Sequence, residues 1–359
     1  MSTIELVDIE QELKRQWDKA QGENKVRASL FNLIIYAKKN RRAGYYENLV
    51  RSVVSKFPCR IILIISDHDQ GADYLKTNVS SETVGSGQTQ IFCEIITIQV
   101  AGSLRERTYF VLLPHLLCDL PIYLLWTKDP TERSLLLPRL ERIASRIIFD
   151  AEESSNLTEY AHTTLALLKS FHCEIGDLNW SALSGWRTII THYFDSPLGY
   201  KQLLTSKKIK ICYAINPHSE HRHNEIEAAY LQSWLASLLN WKYNSIDHSE
   251  SRFRISYQTF VGECIIHLVG KEVEDLSSGV ILTVEIESSD PVASISFVRQ
   301  RDQITIKYSD QSRCDLPHYS YLPENGGGKE IIEELFRPSG RGHYQKMLES
   351  LSYIPWSSL

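Results

Sequence analysis

The stretch Leu49-Val-Arg-Ser-Val-Val-Ser-Lys-Phe-Pro-Cys-Arg-Ile-Ile-Leu-Ile-Ile65 changes its hydrophobic period partway along. Leu49, Val50, Val53, Val54 and Phe57 fall on one side of a helix. Pro58 closes that helix, because proline has no N–H with which to continue it. Residues 60–66 then form a short apolar run, the pattern of a strand buried on both faces. A helix leading directly into such a strand is half of a parallel βαβ unit.

The alternation extends in both directions. Leu6, Ile9, Leu13 and Trp17 recur at helical spacing, and residues 26–37 predict a buried strand with Leu30, Phe31, Leu33, Ile34, Ile35 and Tyr36. Downstream, residues 91–100 predict a strand and residues 104–117 a helix ended or kinked by Pro114. Asp119-Leu-Pro-Ile-Tyr-Leu-Leu-Trp126 reads as a strand after a proline stop, 135–144 as a helix and 146–149 as a strand. Leu157, Ala161, Thr164, Leu165, Leu168 and Phe171 mark a long amphipathic helix. Residues 67–88 are polar and glycine-bearing, which predicts a loop or lid. The expectation is an N-terminal α/β domain, residues 1–175, built on an open, mostly parallel sheet with helices on both faces.

A Trp-rich joint helix at 176–200 is expected to follow, and beyond it the rhythm differs. A strand at 209–215 and a helix at 224–239 precede β runs at 253–257, 264–269, 280–286, 292–299 and 303–308. Short turns separate the later runs, so residues 201–359 read as a C-terminal α+β domain with a largely antiparallel sheet. Closing helices are predicted at 329–336 and 344–351.

Composition narrows the function classes. The chain has 359 residues, 43% hydrophobic and 23% charged, which predicts a globular protein of two domains. A net charge of −5 does not suit a protein that neutralises many phosphates, so no nucleic acid is expected. The basic clusters Lys38-Lys-Asn-Arg-Arg42 and Lys207-Lys-Ile-Lys210 read as solvated loop ends and strand starts. The first ten residues carry acids where a secretory signal would be basic, and the apolar runs are too short to span a bilayer. A cytoplasmic protein without membrane contact is the expectation. Cys59, Cys93, Cys118, Cys173, Cys212, Cys264 and Cys314 are scattered with no Cys-x-x-Cys, and several sit inside apolar strand patterns, which predicts reduced, buried thiols.

Motif searches return no complete catalytic set. A dinucleotide site needs Gly-x-Gly-x-x-Gly after the first strand, and that strand leads instead into Ala37-Lys-Lys-Asn-Arg-Arg-Ala-Gly-Tyr45. Gly85-Ser-Gly87 reads as a flexible turn. Asn325-Gly-Gly-Gly-Lys329 precedes a helix but lacks the Ser or Thr of a P-loop, and Glu330, Glu333 and Glu334 oppose an anion there. His218, His221 and His223 with Glu225 have no metal-ligand spacing. No Gly-x-Ser-x-Gly elbow occurs, and Ser184 is expected as a helix N-cap. Neither a cofactor nor a metal is expected. Arg337-Pro-Ser-Gly-Arg-Gly-His-Tyr344 is a basic turn that would serve as an anion or partner contact, or as a plain connection, with Arg337 and Arg341 as its candidates.

The most informative segment is Asp177-Leu-Asn-Trp-Ser-Ala-Leu-Ser-Gly-Trp-Arg187. Trp180 and Trp186 each offer a large ring to bury and a polar N–H. With Arg187 they serve either as glue at a domain joint or as part of a protein-binding surface. This segment resembles the signature of the glucose-6-phosphate dehydrogenase assembly proteins, the OpcA family. Val26-Arg-Ala-Ser-Leu-Phe-Asn-Leu-Ile-Ile35 and the Asp119-to-Trp126 stretch are similar to that family's first strand and its Asp-Leu-Pro strand. The resemblance covers roughly the first 200 residues in order and spacing. It implies a non-enzymatic partner of glucose-6-phosphate dehydrogenase in the oxidative pentose phosphate pathway, acting as assembly factor or allosteric activator, and it carries over no catalytic or redox residue. The competing expectation is a sugar-phosphate-binding protein or enzyme using an inter-domain cleft, with Lys329, Arg337 or Arg341 on the phosphate.

Overall fold

The computed structural model describes residues 3–5, 8–23, 25–39, 43–69, 72–84, 90–218, 223–249, 252–312, 314–322, 329–336 and 341–356. In chain order its strands are β1 (Thr3–Glu5), β2 (Val26–Arg27), β3 (Asn32–Lys38), β4 (Arg60–Asp67), β5 (Tyr74–Val84), β6 (Ile91–Ala101), β7 (Ile122–Trp126), β8 (Arg146–Phe149) and β9 (Glu174–Asp177). They continue with β10 (Ser206–Ile215), β11 (Lys242–Ser249), β12 (Arg252–Thr259), β13 (Gly262–Glu272), β14 (Ile281–Ser289), β15 (Val292–Gln300), β16 (Gln303–Asp310) and β17 (His318–Tyr321). The α-helices are α1 (Ile9–Gly22), α2 (Ala43–Val54), α3 (Thr108–Leu112), α4 (Leu137–Glu141), α5 (Leu157–Ser170), α6 (Leu178–Ala182), α7 (Ser184–Tyr193), α8 (Pro197–Leu204), α9 (Ile226–Leu238), α10 (Lys329–Phe336) and α11 (Arg341–Ser352). Two units divide the chain. One is Met1–Glu153, Leu167–Leu178 and Gly327–Arg337; the other is Ser154–Ala166, Asn179–Gly326 and Pro338–Leu359.

The first unit is built on β1 to β9. Their spatial order is β1-β5-β6-β4-β3-β7-β8-β9, with β2 beside β6. Only the β5–β6 pairing is antiparallel. Numbered along the chain, β3, β4, β6, β7, β8 and β9 stand in the order 3-2-1-4-5-6, the doubly wound Rossmann arrangement, with its switch point between β3 and β7. Every residue of β4 is buried, as a central parallel strand requires. On one face, Leu33 and Ile35 of β3, Ile61 and Leu63 of β4 and Cys93 of β6 pack with Leu49, Val50 and Val53 of α2 and Ile331 and Leu335 of α10. Strand alternation turns Phe92 to the opposite face, where it meets Trp17 of α1 at 6.0 Å.

Two local expectations are corrected here. Residues 67–88 are not all loop, because 74–84 form β5, antiparallel to β6. The few inward residues Leu75, Thr77 and Val79 are buried at alternate positions, and polar residues between them mask the period. Gly85-Ser-Gly87 lies outside the described residues. The run at 26–37 is two strands. β2 is exposed and Leu30 is 53% exposed, so burial begins only at Phe31.

The second unit holds β10 to β17 in the order β11-β12-β13-β10-β14-β15-β16-β17. Its sheet is antiparallel except where β10 pairs in parallel with β13. One set of alternate residues, including Ile209, Ile211, Ile266, Val284, Ile295 and Phe297, is buried. Helix α9 is buried at Ile226 and on all sides from Ala228 to Ala236. Its Gln232 accepts a hydrogen bond of 2.6 Å from Tyr257 Oη, so the polar group inside this core is satisfied. Strands β11 and β17, which the sequence pattern does not predict, lie at the two sheet edges and are polar or exposed. The fold class is thus α/β, with a mostly parallel N-terminal sheet and a largely antiparallel C-terminal one. Among the described residues no helix is long and apolar enough to cross a membrane.

Candidate functional site

The tryptophan segment folds as α6 followed at once by α7. Leu183, between them, is itself near-helical, with φ −82 and ψ −2. That corrects the role expected of Ser184. An N-cap needs an extended backbone, and Ser184 is instead the first residue of α7, its carbonyl accepting from Thr188 Oγ1 at 2.9 Å. Trp180 and Trp186 are buried, at 1% and 0% exposure. Trp186 Nε1 meets no hydrogen-bond acceptor among the described residues. Gly185 sits so close to Leu322 that a Cβ would lie 2.3 Å from Leu322 Cδ1, hence the glycine.

Arg187 is half-buried and lies over Trp180, its Cζ 3.5 Å from the ring centroid. Its Nη1 also donates to the Trp180 carbonyl. Trp180 in turn meets Tyr344 of α11 at 5.7 Å. Beside this stack is a cavity of about 550 Å³ lined by Trp180, Arg187, His192, Asp195, Trp234 and His343, among others. Trp180 and Trp234 are its buried aromatic walls, whereas His192, Asp195 and His343 are exposed. Aromatic and arginine anchors within a polar rim are what protein–protein hot spots use.

The other candidates from the sequence fall elsewhere. Arg337 lies outside the described residues, as do Asn325 to Gly328 and His221. Arg341 opens α11 and Lys329 opens α10, and only their backbones are described. His223 Nδ1 is 3.3 Å from Glu225 Oε1, and His218 is exposed. No group of three His, Cys, Asp or Glu that could hold a metal ion occurs among the described residues.

A second constellation lies at the C-terminal ends of β3, β4 and β7, the switch point. Tyr36 and Trp126 stack there, ring centroids 4.2 Å apart and 13° between planes. Burial pushes the Tyr36 phenol up, against a hydrogen bond with Ser66 that lowers it. Lys39 Nζ, 2.9 Å from Asp67 Oδ2, holds that carboxyl below the usual range. Glu132 joins Lys38 and Lys128 at 2.7 and 3.2 Å. His68 is pushed down to about 4, first by burial and then by Arg105, Lys128 and Lys38. Sequence motifs miss His68, Arg105, Lys128 and Glu132. Their one signal is position, just past the ends of apolar strands, where open α/β sheets place ligands.

A Rossmann sheet implies a dinucleotide across this crevice, cradled by a glycine-rich turn. Here β3 leads into Lys39-Asn-Arg-Arg-Ala43, with no glycine before Gly44 of α2. The Tyr36–Trp126 stack and the Glu132 carboxylate stand at the switch point instead. These residues do not fit a dinucleotide pyrophosphate.

A family model for the N-terminal domain of the glucose-6-phosphate dehydrogenase subunit matches residues 50–166. Another, for the C-terminal domain of that same subunit, matches residues 173–348. No curated protein matches. Among solved structures, KijD10, a 3-ketoreductase from Actinomadura kijaniata, is similar in its open complex with TDP-benzene and NADP. The TM-score is 0.53 at 9% identity, over 90% of this chain and 95% of that one. A point mutant of the same enzyme, in complex with the same two ligands, gives 0.50 at 10% identity, over 90% and 95%. At such identity the likeness shows the fold alone. Matched over residues 50–166 and 173–348 by the two domain models, the chain belongs to the OpcA family of glucose-6-phosphate dehydrogenase assembly proteins.

Proposed function

We propose that this protein is a non-catalytic assembly factor or allosteric activator of glucose-6-phosphate dehydrogenase, acting by protein–protein contact in the cytoplasm, at the entry to the oxidative pentose phosphate pathway. The observation that carries the reading is the match of two domain models that both bear the dehydrogenase's name. The missing glycine turn at the switch point supports it, because a nicotinamide enzyme of this fold would need that turn. The seven free cysteines agree with a reducing compartment, although Cys118 and Cys314 are exposed and not buried as the sequence pattern predicts.

The contact surface we assign is the cavity beside the tryptophan segment. Trp186 holds α7 in place from within. Trp180 and Arg187 form a wall that is already rigid, so little side-chain freedom is lost on docking. A factor of this kind activates by binding the active oligomer of the dehydrogenase more tightly than the inactive one. At a free concentration of 100 times its dissociation constant it stabilises the bound state by about 2.7 kcal/mol.

The test uses His192→Glu and His343→Glu, two exposed positions on the rim, in binding assays with the purified dehydrogenase. Both variants should fold as the wild type does and bind at least tenfold more weakly, a loss of about 1.4 kcal/mol, because each sets an unpaired carboxylate against the docked partner. Unchanged binding in both would remove the cavity from the interface. Absence of binding by the wild-type chain would remove the function itself.

A further inference from the structure

The switch point of the parallel sheet carries charged groups that the assembly reading leaves unused. Lys38 ends β3, and His68 follows β4 directly. Arg105 lies in the 3-10 turn Gly102–Arg107 after β6, and Lys128 and Glu132 follow β7. The turn that brings Arg105 in is built to one geometry. Gly102 has φ +63, and a Cβ there would lie 1.9 Å from Asp73 Oδ1. Asp73 accepts from Ser103 N and Ser103 Oγ, both at 2.7 Å.

Two ammonium groups flank one carboxylate, and a third cation, Arg105, faces His68 beside them. Glu132 takes Lys38 on Oε1 and Lys128 on Oε2. Lys128 is only 7% exposed, and its other bond is to the Arg133 carbonyl at 3.2 Å. Arg105 has no carboxylate within ion-pair distance among the described residues; its Nε donates to the Gly102 carbonyl at 2.9 Å. Its Nη1 is 2.5 Å from His68 Nδ1. A ring nitrogen facing a guanidinium N–H must accept, so His68 is neutral, and its Nε2 donates to Ser66 Oγ at 3.1 Å. Of the nearby acids, Asp129 accepts from Thr131 N and Oγ1, while Glu106 accepts from Leu135 N on Oε1 and keeps its buried Oε2 without a partner among the described residues. Glu132 therefore holds its two oxygens toward two ammonium groups as a phosphate would, while the Arg105 guanidinium has no anion among the described residues.

We infer that this cluster is a binding site for a single phosphate group, carried by inorganic phosphate or a small phosphorylated metabolite, with Glu132 in the anion's place when the site is free. Lys38, Lys128 and Arg105 hold the phosphate oxygens, and Ser66 and neutral His68 fix the guanidinium. Without a glycine turn the site takes one phosphate and not the pyrophosphate of a dinucleotide. The inference needs no partner protein and stands apart from the assembly role.

The experiment is calorimetric titration of the full chain with inorganic phosphate in a phosphate-free buffer of low ionic strength, with a hexose monophosphate and NADP as separate arms. Glu132→Gln removes the internal competitor and should tighten phosphate by about tenfold. Lys38→Gln and Arg105→Gln should each weaken it by about tenfold or more, the loss expected of one charge-assisted bond. Thermal unfolding confirms that each variant folds, and any one of the three suffices for the comparison. Tighter binding of the hexose monophosphate than of phosphate would name the metabolite as the ligand. No binding by wild type and Glu132→Gln alike, or binding indifferent to Lys38 and Arg105, would reduce the cluster to an internal ion-pair network. Binding of NADP far tighter than phosphate would overturn the single-phosphate assignment.

Discussion

Replacing Arg187 by alanine tests whether the tryptophan segment is a brace as well as a surface. The guanidinium lies 3.5 Å over the Trp180 ring, and a partly desolvated cation–π contact is worth about 0.5–2 kcal/mol. Its bond to the Trp180 carbonyl adds about 1.5–3 kcal/mol as a charge-assisted hydrogen bond. Arg187 is only half-buried, so solvent screens both and the lower halves of these ranges apply. The expected loss is about 2 kcal/mol, or roughly 4–8 °C in the melting temperature of a unit of this size. Arg187→Lys keeps the charge but not the planar fork, and should recover less than half of that. Urea unfolding followed by tryptophan fluorescence measures both. An alanine variant within about 0.5 kcal/mol of wild type, the range of ordinary surface changes, would refute the brace.

Three further perturbations probe the parallel sheet. Glu94→Ala strips the partner from buried Arg60, whose Nε donates to Glu94 at 2.9 Å; an uncompensated buried charge costs about 3–5 kcal/mol, readable in the urea midpoint, and a loss near zero would contradict the ion pair. Gly176→Ala places a Cβ 1.7 Å from Oε1 of Glu334, itself 2% exposed, and should cost about 1–3 kcal/mol; Glu334→Ala in the same chain should relieve the clash, and simple additivity would refute it. His68 has its folded pKa depressed from 6.5 to about 4, so the unfolded chain takes the proton first. Its contribution is complete above about pH 6.5 and is lost as pH falls toward 4; His68→Gln should lose less stability over that window than wild type, and parallel curves would show that burial and the neighbouring cations do not depress the His68 pKa.

The doubly wound half of the fold is legible because its strands are continuous apolar runs. Residues 60–65 are apolar after Arg60 with no polar break, so period and burial agree. β5 is not legible, since an edge-side strand buries only alternate residues and Tyr74-Leu-Lys-Thr-Asn-Val-Ser-Ser-Glu-Thr-Val84 reads as polar. β11 and β17 are hidden for the same reason. The Asp177-to-Arg187 segment stands out in sequence because nearly all of it packs: Asp177, Asn179 and Ser181 are buried along with Trp180 and Trp186. The switch-point cluster is invisible to motif searching. Lys38 at the end of β3 and His68, Arg105 and Glu132 in three connections share no spacing, and only the strand order brings them together.

The central claim is that this chain changes the state of glucose-6-phosphate dehydrogenase by binding it. The direct measurement is sedimentation velocity of the purified dehydrogenase with increasing amounts of this protein, with initial rates taken on the same samples. A heavier complex that contains both chains, with a rise in activity that saturates at the same ratio as complex formation, is the predicted result. Two independently sedimenting species with unchanged rates would contradict the account.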